Sequence, residues 1–264
     1  MDFFFFSYKF FEYDEIDSTN LEAKRYALEN SAREENSEEA ADIPVFIAKY
    51  QTSGRGRLGR SFFSPEETGL YMSLLLSVEQ KLIDTDLITP AAGVAVCRTI
   101  EALTSSCPKI KWVNDIYINR KKVCGILAEG IFSQAEGKIQ QIILGIGVNL
   151  FEPKDGFPKE ISDIATSLYG KKSENPADVK HQFVEKLLEN LKKVLYSVDK
   201  NQVMEEYKNR SLILGEEVTV ITPQKQYAAL VKDITEKGHL IVEYEENGKI
   251  QQTELLSGEV SLKI

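Results

Sequence analysis

The sequence predicts an α+β fold, a mixed sheet packed with helices and followed by a small β barrel. Three observations carry this expectation. Apolar runs of strand length at residues 44–50, 69–76 and 140–150 are interleaved with stretches whose apolar residues recur at helical spacing. From about Leu212 the texture changes to short alternating segments broken by Thr222-Pro223, Lys237-Gly238, Asn247-Gly248 and Ser257-Gly258. The chain, at 264 residues with 42% hydrophobic and 28% charged, has room for one large soluble domain at 1–211 and a small one at 212–264.

Residues 1–10, opening Met1-Asp2-Phe3-Phe4-Phe5-Phe6, are apolar but too short to span a bilayer. They carry an acid where a signal peptide has bases, so they read as the first strand of a cytoplasmic protein with no membrane segment. Thr19 and Glu22 then stand at capping-box spacing and start a helix that runs to the region of Glu29. Ser18, Thr19 and Asn20 are ordinary helix-start residues, and their types need no ligand. Their hydroxyl and amide groups would nevertheless sit beside exposed backbone donors able to hold a polar ligand. Residues 31–42, with Glu34, Glu35, Glu38, Glu39 and Asp42 opposed by Arg33, read as a solvated acidic loop.

Residues 44–50 form a short buried strand that delivers the run Gln51-Thr52-Ser53-Gly54-Arg55-Gly56-Arg57-Leu58-Gly59-Arg60 from its end, where α/β proteins place ligand loops. Three glycines and three arginines within seven positions give a flexible, densely positive loop with little apolar side chain to hold it still, suited to closing on an anion. Gly54, Gly56 and Gly59 match the dinucleotide-binding pattern literally, but that motif needs a helix after its third glycine. Ser61-Phe62-Phe63-Ser64-Pro65 and a strand at 69–76 follow instead, which argues against it.

Residues 84–104 read as a helix through Leu87, Ala91, Val94, Ala95 and Ile100, with Pro90 in its first turns. The run from Lys109 through Lys111-Trp112-Val113-Asn114-Asp115 to Gly130 reads as a hairpin of two strands around the basic turn Asn119-Arg120-Lys121-Lys122. It would bring the only Trp, an Asn-Asp pair and Lys122 onto adjacent strands. The strand at 140–150 carries Gly145 and Gly147 and ends near Asn149; glycine inside a strand marks close approach of a ligand or another backbone. Residues 178–198 form an amphipathic helix whose apolar face includes Phe183, Leu187 and Leu191.

A net charge of -9 argues against a general nucleic-acid binder, which needs a broad basic face, and makes the arginine loop a local exception suited to a small anion. Residues 212–264 hold nine acids and five bases, so the barrel offers no basic footprint either. Cys97, Cys107 and Cys124 form no disulfide framework, and His181 and His239 have no metal-ligand spacing. No Ser/His/Asp arrangement and no carboxylate pair at acid/base spacing is visible. Fixed cations and hydrogen-bond donors dominate, and they suit a reaction in which a carboxylate attacks a phosphate, where charge must be neutralised at the point of attack. Mg2+ normally shares that task, with Asp115 and Asn149 as the available oxygen ligands.

Ser18-Thr19-Asn20, the Gln51 to Arg60 loop, Lys111-Trp112-Val113-Asn114-Asp115 with Lys122-Val123-Cys124-Gly125, and Gly145-Ile146-Gly147-Val148-Asn149 come in the order seen in biotin-protein ligases. The chain resembles that family over nearly its whole length. The resemblance implies a catalytic domain similar to class II aminoacyl-tRNA synthetases and an SH3-like C-terminal barrel. It also implies a two-step reaction: biotin and MgATP give biotinyl-5'-AMP, and a lysine of the biotin carboxyl carrier domain of acetyl-CoA carboxylase or a related carboxylase takes the biotinyl group. Ser18, Thr19, Asn20 and Gln51 would line the biotin site together with Gly54, Arg55, Gly56, Arg57, Lys122 and Gly125. Arg55, Arg57, Arg60, Phe62, Lys111, Asn114, Asn149 and Lys263 would contact the nucleotide, Phe62 by stacking on adenine. Arg57, Lys122 and Asp115 would be the catalytic groups, Asp115 orienting Mg2+ or accepting the proton of the attacking lysine.

Four positions depart from the family pattern: Val113 for Pro, Leu58 for Arg, Phe62 for Trp and Lys263 for Arg. The resemblance is to the monofunctional form, with no room before Ser18 for a winged helix-turn-helix, so no operator binding is expected; a homodimer is compatible with it. Lipoate-protein ligase, with the same adenylation logic but not this loop, is the runner-up, and a nucleic-acid-binding module is opposed by the net charge.

Overall fold

The computed structural model describes residues 7–30, 42–78, 82–133, 137–171, 175–196, 199–222, 225–256 and 258–262. Its main sheet comprises β1 (Tyr8–Ile16), β2 (Ile43–Gln51), β3 (Gly69–Ser77), β4 (Lys109–Lys111), β5 (Asp115–Ile118), β6 (Lys121–Phe132) and β7 (Ile139–Asn149). Their order across the sheet is β1-β2-β3-β7-β6-β5-β4. The first two strands are parallel, connected through α1 (Thr19–Asn30), and every other neighbouring pair is antiparallel.

The two-residue period of a strand decides what each face of this sheet does. On β3, Leu70, Met72, Leu74 and Leu76 enter the main core, covered by α2 (Ile88–Leu103) and α3 (Pro176–Leu195). Tyr71, Ser73 and Leu75 alternate with them and face the other way, where Leu75 meets Ala23 and Ala27 of α1 in a second, smaller core. On β7, Ile142, Leu144, Ile146 and Val148 belong to the main core, while Ile143, Gly145 and Gly147 share the α1 face. With 12 residues α1 is about 18 Å long and packs on β2, β3 and β7. Much of the sheet on that side is therefore left for a cleft.

Several expectations need adjustment. The helix expected over 84–104 is a short 3₁₀ turn, Thr85–Leu87, running into α2, with Pro90 in the first turn, where its missing N–H costs nothing. The expected two-stranded hairpin is three strands, because Trp112, Val113 and Asn114 turn the chain between β4 and β5; the Trp112–Val113 peptide is cis. The second turn, at Asn119 and Arg120, has positive φ at both residues, the backbone of a tight hairpin. A further helix, α4 (Lys200–Asn209), was not expected; Asp199 caps it by accepting from the Gln202 N–H. Thr19 and Glu22 do begin α1, but the Glu22 carboxylate accepts from Tyr13 and Arg25 instead of completing a capping box. Residues 1–6 of the expected first strand and 31–41 of the acidic loop lie outside the described residues.

The C-terminal segment forms a five-stranded antiparallel sheet, β8 (Glu217–Ile221), β9 (Gln226–Ile234), β10 (Leu240–Glu246), β11 (Lys249–Leu255) and β12 (Glu259–Leu262), in the order β11-β10-β9-β8-β12. Its inward residues Val218, Val220, Leu240 and Val242 are continuous with the main core. The Trp112 indole N–H donates to the Gly238 carbonyl at 2.8 Å, and Lys208 of α4 pairs with Asp233 at 3.0 Å.

Candidate ligand-binding site

A cleft of about 560 Å³ opens on the α1 face of the main sheet. At one end lies a buried polar network. Gln51, at the last position of β2, accepts through Oε1 from the Thr19 N–H at 2.9 Å and the Thr19 hydroxyl at 3.2 Å. Its Nε2 donates to Ser64 Oγ at 2.9 Å, and Ser64 donates to the Phe62 carbonyl. Ser73 Oγ lies 2.7 Å from both Thr19 Oγ1 and Asn20 Oδ1, and Asn20 Nδ2 donates to Glu129 at 2.8 Å. Thr19, Asn20 and Ser73 are each at most 5% exposed and hydrogen-bonded within the network, so their side chains are oriented before any ligand arrives; Ser18 is buried beside them. The Thr19 hydroxyl is thus committed to the site and not to capping its helix.

The basic loop forms a second wall. The sequence suggested a flexible loop with little apolar side chain to hold it still; Leu58 is exposed, and backbone hydrogen bonds hold the loop. Phe62 N–H donates to Gly54 O at 2.8 Å and Gly56 N–H to Arg60 O at 2.7 Å, closing a narrow hairpin around a 3₁₀ turn at Arg57–Gly59. No helix follows Gly59, in keeping with the exclusion of a dinucleotide turn. Two arginines tether the loop to the sheet: Arg55 lies 3.4 Å from Glu129, and Arg57 donates to Asn114 Oδ1 at 3.4 Å. Gly54 is buried beneath the hairpin, where a Cβ would strike the Phe62 carbonyl oxygen.

The floor is sheet. Gly125 of β6 pairs with Gly147 of β7, and the Phe62 ring rests on both: a Cβ on Gly147 would come within 2.6 Å of it and one on Gly125 within 3.2 Å. Glycine at both places permits this approach. Lys122 Nζ stands 2.7 Å from Asp115 Oδ1 and 6.0 Å from the centre of the Phe62 ring. The Asp115 contact is an ion pair without hydrogen-bond alignment, which leaves that buried oxygen with no hydrogen-bond partner. The main chain of Lys122 is fixed on both sides, its N–H donating to Ile164 O at 2.7 Å and its carbonyl accepting from Thr166 N–H at 2.8 Å.

Of the sequence-selected residues, Ser18, Thr19, Asn20, Gln51, Arg55, Gly56, Arg57, Arg60, Phe62, Lys111, Asn114, Asp115, Lys122 and Gly125 line this one cleft. Gly54 lies behind it. The Asn149 carboxamide instead donates to the Thr166 carbonyl at 3.0 Å, outside the lining, and Lys263 lies outside the described residues. Sequence reasoning missed Ser64, Ser73 and Glu129. One of them carried a signal: Ser73 is the only polar residue within the apolar run 70–76.

Buried amide and hydroxyl groups beside arginine and lysine in one cleft of an α+β fold suit a small ligand with a polar head and an anionic tail. The chain belongs to the Biotin/lipoate A/B protein ligase family, whose model matches residues 16–149. The model of the Biotin protein ligase C terminal domain matches residues 213–263. The chain is 41% identical over 142 residues to the bifunctional ligase/repressor BirA of Bacillus spizizenii, a match covering 54% of this chain and 43% of that one. It thus spans less than half the length of that relative. Identity to the biotin--[acetyl-CoA-carboxylase] ligase of Mycobacterium tuberculosis is 30% over 218 residues, covering 77% of this chain and 75% of the relative. The fold is similar to that of the Aquifex aeolicus biotin protein ligase in complex with biotin and ATP, with a TM-score of 0.71 at 30% identity, covering 97% of this chain and 98% of that one.

Proposed function

We propose that this protein is an ATP-dependent ligase that activates biotin as biotinyl-5'-AMP and transfers the biotinyl group to a lysine of a biotin carboxyl carrier domain, of acetyl-CoA carboxylase or a related carboxylase. The observation that carries the reading is the convergence of the buried network at Thr19, Asn20 and Gln51 with Arg55, Arg57 and Lys122 in one cleft. The network would hold the ureido head of biotin, whose carbonyl accepts and whose N–H groups donate. The cations would take the valerate carboxylate and the α-phosphate, whose mutual repulsion opposes the first step. Closure of the loop would shield the acyl phosphate from water.

Asp115 is the carboxylate suited to Mg2+. No group of three or more potential metal-ligating side chains occurs among the described residues, but Mg2+ in nucleotide sites is held by one or two carboxylates together with phosphates and water. The buried Asp115 oxygen without a hydrogen-bond partner fits that arrangement, and the ion would neutralise phosphate charge. The same carboxylate would alternatively accept the proton of an attacking lysine. Asp115→Asn separates the two roles: a loss of ATP-pyrophosphate exchange marks metal placement, whereas intact exchange with transfer slowed by about 100-fold marks the base.

The cytoplasm suits three free cysteines, and no described helix is long and apolar enough to cross a membrane. We divide the chain into a catalytic domain at 1–211 and a C-terminal domain at 212–264. The reading is tested by ATP-pyrophosphate exchange with biotin, with lipoate and with neither. Exchange that requires biotin is expected; exchange with lipoate alone would replace the reading with a lipoate ligase, and exchange with neither would end it.

A further inference from the structure

Glu129 sits behind the cleft wall, on β6 opposite Ile143, and nothing in the proposed chemistry calls for it. Its position in the strand nevertheless directs it to the cleft side. Residues 125, 127 and 129 share one face of β6, the face on which Gly145 and Gly147 of β7 also lie. One carboxylate oxygen, Oε2, accepts from Asn20 Nδ2 at 2.8 Å, and the other, Oε1, lies 3.4 Å from the Arg55 guanidinium.

We propose that Glu129 is a positioning residue that ties the polar pocket to the basic loop and assigns different tasks to the two arginines. This rests on the function proposed above. An Asn carboxamide has two nearly isosteric orientations, and only its neighbours decide between them. Glu129 accepts hydrogen bonds only, so it draws the Asn20 NH2 group to itself and leaves Oδ1 toward the Ser73 hydroxyl. Gly145 leaves the space that this orientation needs, since a Cβ there would fall on the Asn20 oxygen. At the loop, the Glu129 charge offsets that of Arg55, making Arg55 the tether in the ligand-free protein. Among the described residues Arg57 meets only a neutral carboxamide, that of Asn114, and retains its charge for the ligand's anion. A single carboxylate thereby fixes the donor pattern that reads the ligand head and anchors the strap that covers its tail.

The test uses the full chain with Glu129→Gln and Glu129→Ala. Gln still offers Asn20 an acceptor oxygen but brings no charge to Arg55, so the two tethers separate. On the ligand-free protein, trypsin should cleave at Arg57 and Arg60 about three- to fivefold faster in both variants, the range set by a partly exposed ion pair. In ATP-pyrophosphate exchange, the biotin KM of Glu129→Gln should stay within about twofold of the parent, while that of Glu129→Ala rises about tenfold or more through loss of a charge-assisted hydrogen bond. A general loss of structure would move the two variants' KM values together and lower their melting temperatures, so it cannot produce this split. Arg55→Gln cuts the same tether from its exposed end and should raise cleavage at Arg57 and Arg60 to the same degree, even if neither Glu129 variant folds. Unchanged cleavage in Glu129→Gln and Arg55→Gln, or an equal KM rise in the two Glu129 variants, would overturn the proposal. Absence of biotin-dependent exchange in the parent counts against the proposed function alone, because the cleavage comparison needs no activity.

Discussion

Arg57 reaches Asn114 at 3.4 Å, near the outer limit of a hydrogen bond, so the contact steadies the loop without consuming the guanidinium. Replacing Arg57 by Ala should therefore let the adenylate leave about tenfold faster, while a smaller share of its formation is lost. Trapping the enzyme-bound adenylate over time checks this, and retention as long as in the parent would contradict it. The cysteines test burial at the same scale. Burial pushes the Cys97 thiol up to about 12 and the Cys124 thiol well above its ordinary value, whereas Cys107 is exposed. A thiol below its pKa stays protonated, and the thiolate is the reactive form. At pH 8 a disulfide reagent should modify one thiol rapidly in the native protein and all three after denaturation. Single residues of this kind were legible in the sequence where a side chain carries an unusual charge or donor, as in Arg55, Arg57 and Gln51. Glu129 was not, because an acid in an acidic chain carries no signal until the strand period and the fold place it against Asn20.

At the scale of elements, the glycines of β6 and β7 shape the cleft. A Cβ on Gly145 meets the Asn20 carboxamide, whereas one on Gly130 of β6 meets Ile139 at 3.5 Å, an ordinary packing distance. Gly145→Ala should therefore raise the biotin KM at least tenfold. Gly130→Ala should leave it unchanged and alter stability by no more than about 1 kcal/mol. Comparable KM values in the two variants would remove Asn20 from the binding site. Gly145 and Gly147 drew notice from sequence because glycine inside an apolar strand is costly without a reason. The three-strand arrangement around Trp112 escaped notice, since β4 has three residues and β5 four, too few for a two-residue period to register. Helix α4 escaped for a related reason: its 10 residues bury only Val203, Met204 and Tyr207, and that pattern is legible only against α2.

Across the whole molecule, the C-terminal sheet supports the turn that carries Asn114 and Asp115. Trp112 bonds to Gly238 from one side, and the Tyr207 hydroxyl of α4 donates to the Val113 carbonyl at 3.0 Å from another. Trp112→Phe removes the indole donor, leaving the Gly238 carbonyl without it, and should cost about 1–3 kcal/mol, seen as a melting temperature lower by several degrees. Exchange should fall with it if the turn shifts. The abrupt change of texture near Leu212 announced a β module, but not that Val218 and Leu240 would join the same core as Trp112 and Met204. By itself the sequence determined the strands and helices with strong periodicity, the dense positive charge of the Gly/Arg loop and the family. These depend on local pattern and on the kinds of side chain present. Only the tertiary structure decided that Gln51 would bond to Thr19, that Asp115 would pair with Lys122 and that Glu129 would stand between Asn20 and Arg55. Those pairings join residues distant along the chain, and their geometry is set by sheet register and by which face each helix covers.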